Sequence, residues 1–167
     1  MKSRTTVIAI GLAVSMYALP ALAVETVAKF DGGIGVDPVA GISPANGLPV
    51  PNTVRGVPPG GRPWVIARFK GEIKDNGVLA LKGEGLLFAG GDAIGTTGPV
   101  QAVTATLFCG AQAFDAGSVP LEPNGDFRID GTLGAAPPNP CAPAVLLIRN
   151  AAGGVPGAWF AAGIPSN

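Results

Sequence analysis

The sequence predicts an all-β fold, a small antiparallel sandwich or barrel of about seven strands, behind a cleaved N-terminal signal helix. Three observations predict it. Apolar and polar residues alternate at period two, most clearly over residues 65–73. Gly and Pro cluster between these runs, as turns between short strands require. Few stretches carry the 3.6-residue spacing of a helix outside the first two dozen residues.

Those first residues form a three-part export signal. Lys2 and Arg4 precede an apolar run over residues 7–19, Pro20 ends it, and Ala21-Leu22-Ala23 supplies the small residues a signal peptidase needs. The run is too short for a spanning helix, which takes about 20 residues. Cleavage is expected between Ala23 and Val24, giving a secreted or periplasmic protein with no further membrane attachment. The mature chain of 144 residues then has no Tyr or Met, and its nine basic and eleven acidic side chains give a net charge of −2. With no basic block, nucleic acid is not an expected partner.

The mature chain divides into an N-terminal strand region (24–36), a Pro/Gly-rich loop or linker (37–63) and a main β domain (64–167), with residues 24–167 together expected to form one domain. Residues 37–63 hold seven Pro and five Gly, which argues against regular sheet. The clearest strand follows. Val65, Ala67, Phe69, Gly71 and Ile73 make an apolar face, and Arg68, Lys70, Glu72 and Lys74 the opposite one. Asp75-Asn76-Gly77 supplies the turn. A three-residue loop with Gly77 left-handed pairs Ile73 with Leu79, Gly71 with Leu81, Phe69 with Gly83 and Val65 with Leu87. On the outer face it sets Arg68 opposite Glu84, which is favourable, and Lys70 opposite Lys82, an unfavourable pair that Glu72 and Glu84 flank diagonally. A two-residue loop would mix the faces.

Residues 90–99 read as a long turn and residues 100–109 as a strand with Val103, Ala105, Leu107 and Cys109 on one face. Val119 and Leu121 lead into the turn Pro123-Asn124-Gly125, after which Phe127 and Ile129 continue. Residues 144–149 and 158–163 form a last hairpin. Cys109 and Cys141 are the only cysteines, and in an oxidising compartment they are expected to form a disulfide.

The segments at residues 63–66, 85–91, 107–110, 124–129, 146–149 and 159–163 resemble a group of uncharacterised bacterial secreted proteins with no assigned activity. The resemblance covers roughly residues 63–165. It implies a single exported domain and no particular chemistry.

The absence of His excludes Ser-His-Asp and Cys-His nucleophilic sites and imidazole metal centres. Carboxylates remain for proton transfer, but Glu72 and Glu84 fall among Lys70, Lys74, Lys82 and Arg68, which keeps both ionised. Gly32-Gly33-Ile34-Gly35-Val36-Asp37 fits a calcium-binding repeat but occurs once, whereas that architecture stacks several copies. No catalytic, metal or cofactor site is expected. Trp64 and Trp159 are the candidate ligand-binding residues: on the face opposite Val65 and Phe69, Trp64 would stack on a sugar or a partner, or else cap the core under the Pro-rich loop. The favoured function is an exported non-enzymatic binding or structural module acting on a cell-surface component or glycan. The alternative is a small secreted hydrolase, which requires carboxylates among Asp31, Asp92, Asp115 and Asp130 to converge in a cleft.

Overall fold

The computed structural model describes residues 23–166. The body of the expected signal segment, residues 1–22, therefore lies outside the described residues. The fold is all-β. In chain order the strands are β1 (Thr26–Gly35), β2 (Val39–Ile42), β3 (Pro49–Pro51), β4 (Trp64–Val65), β5 (Arg68–Lys74), β6 (Val78–Glu84) and β7 (Leu87–Phe88). They continue as β8 (Ala102–Cys109), β9 (Gln112–Asp115), β10 (Val119–Pro120), β11 (Phe127–Thr132), β12 (Ala144–Asn150) and β13 (Trp159–Pro165).

Nine of these strands form one antiparallel sheet in the order β10-β8-β12-β13-β1-β5-β6-β11, with β9 also paired to β8. The sheet curls into a half-barrel. Its two outer edges approach where Gly134 N, just past β11, donates to Asp115 O in β9 (2.9 Å). The first and last strands pair at its centre, β1 lying between β13 and β5. Residues 24–36 are thus integral to the sheet.

The β5–β6 hairpin has the register its sequence predicts. Arg68 faces Glu84, Phe69 faces Gly83, Lys70 faces Lys82, Gly71 faces Leu81 and Ile73 faces Leu79. Gly77 closes the turn at φ 82°, a left-handed conformation that costs a Cβ-bearing residue energy, and its N–H donates to Lys74 O (2.9 Å). Extension of this strand back to Val65 is corrected by the structure. The chain bends at Ile66-Ala67, and β4 leaves the main sheet to pair with β7, Val65 still facing Leu87. The bend reverses which face is covered. Val65 is 49 % exposed and Ala67 is exposed, while Trp64 is only 3 % exposed.

Residues 37–63 also carry more regular structure than their proline content suggests. β2 and β3 form a hairpin whose strand residues are all exposed, and Asn52 holds its base by donating from N to Pro38 O (2.9 Å) and from Nδ2 to Asp37 O (3.0 Å). Pro49 and Pro51 sit on a two-stranded ribbon with no further neighbour, where a missing N–H breaks no ladder.

The concave side of the half-barrel is the core. Phe30, Phe69, Ile73, Leu79, Leu81, Leu107, Phe127, Ile129, Leu146 and Ile148 are all buried there. Large residues lean over glycines: a Cβ on Gly71 would meet Leu81 Cδ2 at 2.6 Å, one on Gly163 would meet the Phe30 ring at 2.8 Å, and one on Gly83 would collide with the Phe127 ring. Phe127 is the direct cross-strand partner of Gly83, so an aromatic side chain fills the gap left by the glycine.

Candidate functional site

Strand parity carries the residues between the core positions to the convex face of β1, β5, β6 and β11. That face displays Lys29 and Asp31 from β1, Arg68, Lys70, Glu72 and Lys74 from β5, Ala80, Lys82 and Glu84 from β6, and Arg128 and Asp130 from β11. It holds six of the nine basic residues of the mature chain and four of its eleven acidic ones. The rest of the mature chain therefore has three basic and seven acidic side chains, a net −4 against +2 on this face.

Register arranges these charges in rows. Asp31, Lys70, Lys82 and Arg128 face one another in line across four strands. The adjacent row is Lys29, Glu72, Ala80 and Asp130. Neighbouring strands are about 4.8 Å apart, so three cations fall within about 10 Å of one line. The small Ala80 side chain leaves a shallow groove of about 370 Å³ beside them, lined by Lys29, Asp31, Lys70, Lys82, Arg128 and Asp130 among others.

Three of the four carboxylates of the face are partnered. Glu84 accepts from Arg68 Nη1 at 3.0 Å, and Lys82 Nζ lies 2.7 Å from its other oxygen. Glu72 pairs with Lys74 and accepts from Thr26 Oγ1 at 2.5 Å, and Arg128 pairs with Asp130. The Lys74 ammonium, then the Thr26 hydroxyl, holds Glu72 below the usual carboxylate range; Lys82, then Arg68, does the same for Glu84. Among the described residues, Lys29 and Lys70 make no ion pair within 4 Å.

Of the four aspartates a hydrolase would draw on, Asp31 and Asp130 share the groove, and Asp92 and Asp115 do not line it. Asp31 and Asp130 line the same groove but stand on β1 and β11, with β5 and β6 between them. Three strand spacings put them about 14 Å apart, beyond the roughly 5–10 Å that a glycosidic pair spans, and a convex face splays side chains further. Asp92 lies in the loop after β7. Asp115 accepts from Thr106 Oγ1 (2.6 Å) and lies 3.9 Å from Arg149 Nη1.

Both tryptophans are buried. Trp64 stacks on Phe160 with centroids 4.2 Å apart, tilts against Phe88 at 4.3 Å, and has Gly60 packed at its indole nitrogen. The Arg62 guanidinium caps Phe88 at 5.4 Å from the ring centroid. Trp159, 4 % exposed, donates from Nε1 to Asn52 O (2.9 Å). Trp64 thus caps the core under the Pro/Gly-rich segment, and Trp159 anchors the base of the β2–β3 hairpin. Cys109 and Cys141 form a buried disulfide with a Cα–Cα distance of 4.8 Å, tying the end of β8 to the loop between β11 and β12. Ala23 and Val24 are exposed just ahead of β1. In the calcium-like motif, the glycines lie within β1, and Asp37 Oδ1 accepts from Val39 N (3.1 Å), a turn-forming role.

Two features escape sequence reasoning. Arg128 joins the Lys70–Lys82 row only because β11 pairs with β6 across an intervening 42 residues, 85–126. Arg149, a half-buried cation near the end of β12, reaches the β12–β13 connection, donating to Gly157 O (2.8 Å) and Pro156 O (2.9 Å), and donates also to Thr106 Oγ1 (3.1 Å). Burial lowers its pKa, and Asp115 partly restores it.

Fold and site together define a disulfide-tied half-barrel with one open, charge-laddered sheet face. No family model, curated protein or solved structure matches the chain.

Proposed function

We propose that the chain is an exported, non-enzymatic module, cleaved between Ala23 and Val24 and acting in the periplasm or outside the cell, that binds a cell-surface component through the convex face of β1, β5, β6 and β11. One observation carries the reading: this face gathers most of the cations of a net-acidic chain and leaves Lys70 unneutralised opposite Lys82. Like charges directly opposed across strands are destabilising, so a sheet that keeps them has a use for the charge. The burial of the disulfide and the exposure of Ala23 and Val24 support export and processing. Trp64 and Trp159 serve the core here and not the ligand.

Fractionation and N-terminal sequencing test the first half: the expected product begins at Val24, outside the cytoplasm, with its two cysteines oxidised. Retention of the oxidised protein on isolated cell envelopes tests the second. Wild type is expected to be retained and a Lys70→Glu/Lys82→Glu variant to wash off. An intact Met1 terminus with free thiols overturns export, and equal retention of the two proteins overturns the binding face.

A further inference from the structure

The charge pattern of this face specifies more than a cation patch, and we infer that its ligand is a carboxylate-bearing polysaccharide laid across the strands along the Lys70–Lys82–Arg128 row. The inference rests on the binding face proposed above and names its ligand class.

Three observations favour this chemistry. The row is linear, running across β5, β6 and β11 on an exposed sheet face, so it accommodates a chain better than a compact molecule. Its three cations stand side by side, with acceptors at one end and in the neighbouring row. Asp31 closes one end of the row, and Glu72 and Asp130 stand in the next row beside Ala80. Lys and Arg bind ring carboxylates, Arg128 with a bidentate fork, while the flanking carboxylates accept hydroxyl hydrogen bonds from the same sugar rings. A dense polyanion lacking hydroxyl donors, such as a phosphate backbone, would be repelled by Asp31 and Asp130. The groove also has no exposed aromatic or large aliphatic side chain, so a peptide anchored by apolar residues has no seat there.

Opposed cations cost stability in the unliganded sheet, and a ligand carboxylate between them removes that cost. Binding and stability should therefore respond in opposite directions to loss of Lys70, which makes no ion pair among the described residues, whereas Lys82 and Arg128 also hold Glu84 and Asp130. A structural role for Lys70 would move both downward.

The test uses the oxidised exported protein and three probes: polygalacturonate, the sulfated polyanion heparin, and neutral dextran. Wild type is expected to bind polygalacturonate, more weakly as salt rises, and to ignore dextran. Lys70→Gln, Lys82→Gln and Arg128→Gln should each weaken binding about 3- to 10-fold, and the triple variant more than 30-fold. Arg55→Gln and Arg62→Gln, away from this face, should change it less than 2-fold. Lys70→Gln should melt at or above the wild-type temperature, followed by the fluorescence of the buried Trp64 and Trp159. Binding to heparin alone, equal loss in the off-row variants, or a lowered melting temperature for Lys70→Gln overturns the proposal. If wild type is retained on envelopes through the row yet ignores polygalacturonate, the ligand class is wrong and the binding face stands. If it is not retained, the underlying reading fails as well.

Discussion

Replacing Gly83 with Ala should destabilise the protein although alanine suits a strand better than glycine does. The Cβ would land on Cε1 and Cζ of Phe127, whose ring is 4 % exposed and packed 6.4 Å from that of Phe69. The ring must swing aside in a filled core, and such overpacking costs about 1–3 kcal/mol. Removing a glycine restrains the unfolded chain and returns about 0.4–1 kcal/mol. The net is a loss of roughly 1–2 kcal/mol, or about 3–8 °C in melting temperature for a domain of this size. Gly131→Ala is the matched control. It lies on the strand β11 that also carries Phe127, its Cβ would meet nothing within 4 Å, and only the gain of about 0.4–1 kcal/mol applies. Urea unfolding of the oxidised protein, followed by tryptophan fluorescence, measures both. Adding Phe127→Leu to Gly83→Ala should recover part of the loss, with a coupling of at least about 0.5 kcal/mol. Two alanine variants of equal stability, or additive effects of Gly83→Ala and Phe127→Leu, would falsify the account of an aromatic ring filling the glycine gap.

Two further predictions concern the staple and the charged face. Removing the disulfide as Cys109→Ala/Cys141→Ala opens a loop of sequence separation 32 and should lower the unfolding free energy by roughly 3–4 kcal/mol; a change under about 1 kcal/mol in urea melts would show that the loop is already ordered in the unfolded chain. Glu72 and Glu84 have folded-state pKa values below the ordinary 4.5, so their stabilising contribution is full above that value and is lost as pH falls through it toward the folded values. Thermal melts from pH 7 to pH 3 should therefore fall on the acid side, with a shallower fall in Glu84→Gln, and parallel profiles for the two proteins would refute the assignment.

The parts of the fold legible in the sequence are those fixed over a few residues. Turn Asp75-Asn76-Gly77 and the two polarities flanking it determine the β5–β6 register, because a two-residue loop mixes charged with apolar positions. The hairpin of β12 and β13 is legible from two apolar runs on either side of a glycine-rich connection. Long-range pairing is not. That β1 inserts between β13 and β5 leaves no local trace, since alternation reads the same whichever strand lies alongside, and sandwich and barrel share it equally. The face of Trp64 was misplaced because period two was carried through the bend at Ile66-Ala67, where β4 turns away to join β7. Proline content hid the β2–β3 hairpin, whose ribbon tolerates missing donors. The opposition of Lys70 and Lys82 was visible in the sequence; its extension to Arg128 required the β6–β11 pairing.

The packing of the two sides of the sheet explains why the charge sits where it does. On the concave side, Phe30, Leu81 and Phe127 reach across to Gly163, Gly71 and Gly83, so the space that wider β-barrels keep for a ligand is filled by side chains. On the convex side of β8 and β12, Thr104, Thr106 and Leu147 are buried. Thr104 Oγ1 donates to Ala116 O (2.8 Å), and Arg149 pins the β12–β13 connection by its bonds to Pro156 and Gly157. That half of the convex surface is covered by the protein's own chain. The half built from β1, β5, β6 and β11 remains open, and it is there that the chain concentrates its cations, including a row that opposes like charges. A surface needing only to be solvated would pair Lys70 with an acid on β6, as Arg68 is paired with Glu84 two residues away. The sheet contains the stabilising alternative beside the destabilising one, so strand geometry does not impose the opposition of Lys70 and Lys82.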